Sequence, residues 1–151
     1  MSDTQFAAYE AKCATAARLN AEILPYNKQV LFEALAAEGI NIVTIAFDGS
    51  GDSGQFEEPV GYDAENRVVA IPTGDITVKS VDFDTGTVSE RTTTAGDYIE
   101  ALACDFLEET HDGWENGEGA HGEFFFALAE RTITLDYNER YIEYTHHEHE
   151  F

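Results

Sequence analysis

Residues 40–55 read Ile-Asn-Ile-Val-Thr-Ile-Ala-Phe-Asp-Gly-Ser-Gly-Asp-Ser-Gly-Gln, and this stretch decides the fold of the 151-residue chain. The β-branched and aromatic residues of its first half predict a largely buried strand that ends near Phe47. The glycines and aspartates that follow, at residues 48–55, are typical of a loop. The chain therefore passes from helix to sheet at about residue 40.

The segment before this strand has helical periodicity. Apolar residues up to Leu24 follow the spacing of one helix face, and Pro25 is expected to end that helix. Asn27 is placed to cap a second helix with an apolar stripe through Leu31, and Gly39 suits a left-handed C-cap. We therefore predict two helices within residues 1–39.

The segment after the strand is rich in alternating patterns. The clearest period of two runs from Thr132 to Tyr137, and Thr94 is placed to cap a helix over about 95–110. Further strands are predicted at residues 67–71, 76–83, 88–92, 124–128 and 141–144. Because no linker or repeat interrupts the chain, we predict one α+β domain over residues 1–151, in which helices pack on one face of an antiparallel sheet. Its parts are a helical segment, 1–39, and an acidic sheet-rich segment, 40–151.

The charge is large and unevenly distributed. The chain has 30 acidic and 8 basic residues, a formal net charge of −22, and residues 48–151 alone carry 25 of the acidic and 5 of the basic ones. Such a chain repels nucleic acid and anionic membranes and attracts cations or basic proteins. Solubility and a high-salt cytoplasm are alternative reasons for the charge.

The sequence also has the features of a cytoplasmic protein. No apolar run reaches the length of a membrane span, and the N-terminus lacks the basic and apolar regions of a signal peptide. Cys13 and Cys104 each lie within apolar helical patterns, which favours buried thiols over a disulfide.

Three segments together resemble a known family of small bacterial proteins of unknown function. They are Phe47-Asp48-Gly49-Ser50-Gly51-Asp52-Ser53-Gly54-Gln55, Gly113-Trp114-Glu115-Asn116-Gly117 and Thr132-Ile133-Thr134-Leu135-Asp136-Tyr137-Asn138-Glu139-Arg140-Tyr141. The resemblance covers most of residues 28–151, and such proteins are often carried on plasmids and integrated mobile elements. It implies a mobile-DNA context and assigns no mechanism.

Trp114 is the least expected residue of its polar loop. An indole there either covers the open end of the sheet or anchors a partner protein, and the covering role is the more common one. Carboxylates surround it in sequence and recur after the first strand. The candidate partner-binding residues are Asp48, Asp52, Glu57, Glu58, Asp112, Trp114, Glu115 and Glu118.

Asp48, Ser50 and Asp52 match the first three ligand positions of a calcium loop. The pattern then fails, because Ser53 takes the place of the turn glycine and Pro59 that of the bidentate glutamate. An EF-hand is excluded, and a looser divalent-cation loop stays open as the alternative.

Other motifs for chemistry are weaker. Ser53 lies in a Gly-Asp-Ser-Gly tetrapeptide, but no histidine precedes it as the chymotrypsin order requires. His111, His121 and Glu123 could join a tail histidine at a metal, yet their spacing is not diagnostic.

We therefore expect an acidic protein-binding module without a cofactor and without enzymatic activity. Its expected partner is a basic groove on a nucleic-acid-binding protein, where the module would mimic nucleic acid, and an inhibitor of a restriction or CRISPR nuclease is the specific form. The alternative is a divalent-metal-binding protein or metal-dependent enzyme that uses residues 48–52. The sequence leaves the oligomeric state open.

Overall fold

A computed structural model of the chain describes residues 2–151. Within this range there are two helices, α1 (Asp3–Ala36) and α2 (Ala95–His111), and neither is long and apolar enough to cross a membrane. The strands of the same range are β1 (Ile42–Ser50), β2 (Ser53–Phe56), β3 (Val60–Tyr62), β4 (Val68–Val69), β5 (Asp75–Asp82), β6 (Thr87–Thr94), β7 (Ala120–Ala127) and β8 (Thr132–Glu139).

Helix α1 is continuous for 34 residues, so the prediction of two helices separated at Pro25 is wrong. A proline inside a helix removes the hydrogen bond to the carbonyl four residues earlier, here that of Ala21, and costs about 3 kcal/mol. The helix continues because Leu31 and Leu35 are fully buried in the core. Burial stabilises each of these side chains by about 1.5–3 kcal/mol, which together offsets the cost of the proline.

Asn27 does not cap a helix but lies buried in the middle of α1. Its Nδ2 donates to the Lys79 carbonyl at 2.9 Å, and its Oδ1 accepts from the Lys79 N–H at 2.7 Å. One amide side chain therefore satisfies both backbone groups of a residue in β5. Because a buried polar group without a partner costs about 1–3 kcal/mol, this pair holds the β5–β6 hairpin against α1.

Strand β1 lies at the centre of the antiparallel sheet, which has the order β4-β3-β1-β7-β8. On one side of β1, β3 pairs with residues 42–44 and β2 pairs with residues 47–50. Alternate residues of β1, Val43, Ile45 and Phe47, are buried together with Phe124 and Phe126 of β7. This face packs against the buried residues of α1 and α2 in one core. The predicted α+β fold, with helices on one face of an antiparallel sheet, is confirmed.

Strands β5 and β6 form a separate two-stranded sheet that contributes Val78 to the same core. The hairpin lies along α1, and the Phe83 ring near its turn is 6.0 Å from the Tyr9 ring. Strands were predicted at both positions, but the hairpin that they form belongs to no larger sheet. It therefore covers α1 instead of widening the central sheet.

Residues 48–55 form a tight hairpin and no open loop, which corrects the sequence prediction. Gly51 and Asp52 have φ angles of 59° and 67°, and positive φ at both central residues is what a type I′ turn requires. Gly49 faces Gly54 across the hairpin. Glycine is depleted in strands, so composition alone concealed this extension of β1.

The remaining predictions are mostly confirmed. Helix α2 begins after Thr94, whose Oγ1 accepts from the Asp97 N–H at 3.3 Å. Strands β7 and β8 form over the residues predicted as strands, and they pair with each other. The short strand β3 was not predicted. Residues 141–144 form no strand, so that prediction is wrong: residues 141–151 are exposed and pair with no strand of the described chain.

We predict that Asn27→Ala destabilises the protein by about 2–4 kcal/mol, because the Lys79 N–H and carbonyl lose their partners in a buried site. Chemical denaturation followed by circular dichroism measures the change. Asn20→Ala is the matched control, since Asn20 is an exposed asparagine of the same helix, and it should change the free energy of unfolding by less than about 0.5 kcal/mol. Equal effects of the two substitutions would contradict this role of Asn27.

Candidate functional site

The indole of Trp114 lies on the backbone of the β1–β2 hairpin. A Cβ added to Gly49 would approach the indole to 2.6 Å, and one added to Gly54 would come closer still. The same ring makes edge contacts with Phe47 and Phe56, with ring centroids 5.3 and 6.0 Å away. Trp114 therefore covers this end of the sheet, and it does so because two facing strand positions have no side chain.

Backbone hydrogen bonds dock the loop that carries Trp114 onto the hairpin turn. The Gly51 N–H donates to the Gly117 carbonyl at 2.9 Å, and the Asp52 N–H donates to the Glu115 carbonyl at 3.0 Å. Gly119 has a φ of 76° and lies so close to β1 that a Cβ there would overlap the Gly49 carbonyl oxygen. The loop and the hairpin thus form one unit.

Arg140, the residue after β8, ties the third segment to the same place. Its Nη2 lies 2.9 Å from Asp48 Oδ1, and its Nη1 donates to the Gly49 carbonyl at 3.1 Å. Its backbone N–H donates to the Gly119 carbonyl at 2.9 Å. The three sequence segments that carry the family resemblance therefore meet at one end of the sheet.

A cleft of about 430 Å³ opens beside Trp114, and we call it the Trp114 cleft. One wall is the stack of His111 on Tyr137, with ring centroids 3.6 Å apart and planes 4° from parallel. Burial raises the pKa of the Tyr137 hydroxyl, and the nearby Glu139 carboxylate raises it further. Carboxylates lie around these aromatic faces. The aromatic and acidic residues that line the Trp114 cleft are His111, Asp112, Trp114, Glu118, Tyr137 and Glu139.

Six of the eight predicted partner-binding residues lie in, or directly next to, the three segments that meet here. They are Asp48, Asp52, Asp112, Trp114, Glu115 and Glu118. Glu57 and Glu58 instead line a separate groove of about 550 Å³, next to Asp97 and Glu100 at the start of α2. Sequence reasoning considered His111 only as a metal ligand, and it did not assign Tyr137 or Arg140 to a site, because only the pairing of β7 with β8 brings these two residues beside the loop.

A cation bound by residues 48–52 would need Asp48 as its first ligand, but Arg140 already binds this carboxylate. The cation would therefore have to displace a guanidinium at 2.9 Å. Among residues 2–151 no group of three or more His, Cys, Asp or Glu side chains is arranged to hold a metal. His111 stacks on Tyr137, whereas the alternation of β7 places His121 and Glu123 on the opposite face of the sheet. The histidine site considered from the sequence is therefore not assembled.

Most acidic side chains have no cationic partner. In residues 2–151, six of the 30 carboxylates lie within 3.9 Å of a basic nitrogen, those of Glu22, Asp48, Asp63, Glu65, Asp84 and Glu148. Helix α2 alone presents five exposed carboxylates, which we call the acidic ridge: Asp97, Glu100, Asp105, Glu108 and Glu109. At a rise of 1.5 Å per residue this is one charge per roughly 3.6 Å, about half the axial charge density of duplex DNA.

Asp105 is the residue of the acidic ridge whose carboxyl has a raised pKa. Burial raises the pKa of its carboxyl, Glu108 and Glu109 raise it further, and Arg91 partly opposes them. At Asp63 the effect is reversed, because backbone N–H groups of Arg67 and Glu65 donate to the carboxylate at 2.9 Å and lower its pKa.

Comparison with known proteins places the chain in a family. Residues 23–151 match the model of DUF6878, a family of unknown function, and the chain belongs to this family. The match confirms the resemblance to a family without an assigned activity. No curated protein and no solved structure matches the chain.

We predict that Gly54→Ala destabilises the protein by about 1–3 kcal/mol, because the added methyl group occupies space taken by the indole. Trp114 is the single tryptophan of the chain, so a shift of its fluorescence emission reports the displacement directly. Gly74→Ala is the control, since nothing lies within 4 Å of a Cβ at that position. The contact would be refuted by an unchanged emission spectrum together with unchanged stability in Gly54→Ala.

We predict opposite pH dependences for two isosteric variants. The native state holds the Asp105 proton more tightly than the unfolded chain does, so ionisation of Asp105 at pH 7 is destabilising. Asp105→Asn should therefore melt at a higher temperature than wild type at pH 7, and the difference should shrink as the pH falls towards about 4. Asp63→Asn should melt lower at pH 7, with its difference vanishing as the pH falls below about 4 through the lowered pKa.

Thermal melts of the three proteins from pH 7 to pH 3 measure both differences. A melting temperature of Asp105→Asn below that of wild type at pH 7 would show that Asp105 is stabilised by Arg91 more than it is repelled by its neighbours.

Proposed function

We propose that the chain is an acidic protein-binding module that occupies the nucleic-acid-binding groove of a basic partner protein. The observation that carries the proposal is the excess of exposed carboxylates without cationic partners in residues 2–151, on α2 and around the Trp114 cleft. Uncompensated surface charge attracts an oppositely charged surface and speeds its association. The net charge equals in number that of roughly ten base pairs of duplex DNA.

The Trp114 cleft supplies a specific contact for such a partner. The His111 ring, stacked on Tyr137, and the half-buried Trp114 offer aromatic surface. Asp112, Glu118 and Glu139 add negative charge, while Arg140, which also lines the cleft, is paired with Asp48. A Lys or Arg side chain suits this lining, because a cation over an aromatic face gains about 0.5–2 kcal/mol and the carboxylates pair with it. We place the end of one basic side chain of the partner in this cleft.

The finer form of the proposal is a DNA-mimicking inhibitor of a host defence nuclease, encoded on a mobile element. CRISPR effectors hold nucleic acid in positively charged channels, so an anti-CRISPR or anti-restriction role would use the same acidic surface. Such a role would place the protein in the cytoplasm. The alternative, a divalent-metal-binding protein that uses Asp48, Ser50 and Asp52, has less support because Arg140 already binds Asp48.

We test the general proposal with a fluorescein-labelled peptide of six Arg-Ala repeats, measured by anisotropy from 0.05 to 0.5 M NaCl. We expect an affinity that falls steeply with salt, because screening weakens exposed charge pairs, and that is unchanged by EDTA. Asp112→Asn/Glu118→Gln/Glu139→Gln should weaken binding at least tenfold, or about 1.4 kcal/mol. The control Asp3→Asn/Glu10→Gln/Glu38→Gln removes the same charge from exposed positions in the first part of the chain and should weaken binding less than threefold.

Equal losses of affinity in the two triple variants would show that the Trp114 cleft is not the binding site. Binding that does not depend on salt would show that the acidic surface does not bind the peptide either. Loss of binding in EDTA would favour the metal alternative. The finer form is tested by DNA cleavage with a purified restriction endonuclease and a guide-loaded CRISPR nuclease. Inhibition that added duplex DNA relieves supports mimicry, and full cleavage at a hundredfold excess of the protein contradicts it for those enzymes.

A further inference from the structure

Strand β8 (Thr132–Glu139) forms a free edge of the central sheet. It pairs with β7 on one side, and none of the other described strands pairs with its second side. Proteins usually protect such an edge with a short strand, a proline, a bulge or charged side chains, especially lysine, and the charged residues of β8 are Asp136 and Glu139. The opposite edge, β4, has two residues, whereas β8 has eight residues, paired regularly with β7, and none of these is proline or lysine.

The chain that follows β8 does not cover this edge. Residues 141–151 are exposed and unpaired within the described structure, and the side chains of Tyr141 and Tyr144 are 78% and 85% exposed. On β8 itself Ile133, Leu135 and Tyr137 face the core side but are only half-buried. The edge therefore combines unpaired backbone groups with incompletely covered apolar side chains.

We propose that β8 pairs antiparallel with β8 of a second copy of this chain, with Leu135 opposite Leu135 across a twofold axis. In this register Ile133 lies opposite Tyr137, Thr134 opposite Asp136 and Thr132 opposite Asn138. Pairs of an aromatic with a β-branched residue stabilise antiparallel strands by about 0.2–1 kcal/mol. Both helical layers then lie on the same side of one continuous sheet, since facing residues share a face.

Charge complementarity selects this register. It brings Arg131, the turn residue before β8 with a φ of 55°, next to Glu139 at the end of the partner β8, and it does so twice in the symmetric dimer. Neither residue has an ion-pair partner among residues 2–151. Moving the centre of symmetry by one residue, to Asp136, would place Asp136 opposite its own copy and would remove both ion pairs. Like charges directly opposite each other are destabilising.

Added salt should strengthen dimerisation, whereas it should weaken the binding of a basic partner. Two chains of net charge −22 repel at long range, and this repulsion decays over about 10 Å in 0.1 M salt. Short-range strand pairing and apolar contact are affected less. Self-association should therefore strengthen from low to moderate salt, whereas binding of a basic peptide should weaken, so the salt dependence distinguishes failure of the dimer from failure of the proposed function.

The test is sedimentation equilibrium of the full chain at 0.05 and 0.3 M NaCl. We expect a monomer–dimer equilibrium for wild type, with more dimer at the higher salt. Arg131→Glu and Glu139→Arg should each weaken dimerisation at least tenfold, because each places like charges opposite one another. An equimolar mixture of the two single variants should form a heterodimer, since every facing pair is then of opposite sign, and Arg131→Glu/Glu139→Arg should restore the homodimer.

Disulfide trapping tests the register in a Cys13→Ala/Cys104→Ala background. A mixture of Thr134→Cys and Asp136→Cys chains should cross-link, whereas a mixture of Thr132→Cys and Asp136→Cys chains, two residues out of register, should not. A monomeric wild type at 100 µM in 0.3 M salt overturns the proposal. So does a mixture of the charge variants that associates no better than either variant alone.

Discussion

The contact of the Trp114 indole with the bare backbone of Gly49 and Gly54 is the interaction on which the rest of this structure depends. It closes the end of the core over Phe47 and brings the loop before β7 down onto the β1–β2 hairpin. The tight turn, the docked loop and the Arg140 anchor all require this close approach. A side chain at either glycine would separate these parts and dismantle the cleft beside them.

Several of the few basic side chains make contacts within the protein. Arg140 is used internally, where it binds Asp48 and the Gly49 carbonyl and joins β8 to β1. Lys79 and Lys28 lie over aromatic rings, at 4.2 and 5.8 Å from the ring centroids. With few cations left for the surface, the carboxylates of α2 and the loop face water. The fold also tolerates the carboxyl of Asp105, whose pKa is raised by burial first and by the Glu108 and Glu109 carboxylates in addition.

Much of the fold could be predicted from local patterns. The alternation of Ile133, Leu135 and Tyr137 predicted β8, and the Thr94 cap with an apolar stripe predicted α2, because each signal is a short-range consequence of burying one face. The break at Pro25 was predicted and is absent. The burial of Leu31 and Leu35 outweighs the local propensity of the proline to end the helix. The sequence near the proline does not show how deeply these two side chains are buried.

The sequence by itself determined the α+β class, the acidic character and the residue types of the site, since composition and periodicity act within a few residues. Only the tertiary structure decided that residues 48–55 are a hairpin and that Asn27 holds β5. It also decided that Trp114, Tyr137 and Arg140 meet. These outcomes depend on strand register and on close approach between residues as far as 92 positions apart in the sequence, which are properties of packing and not of any one segment.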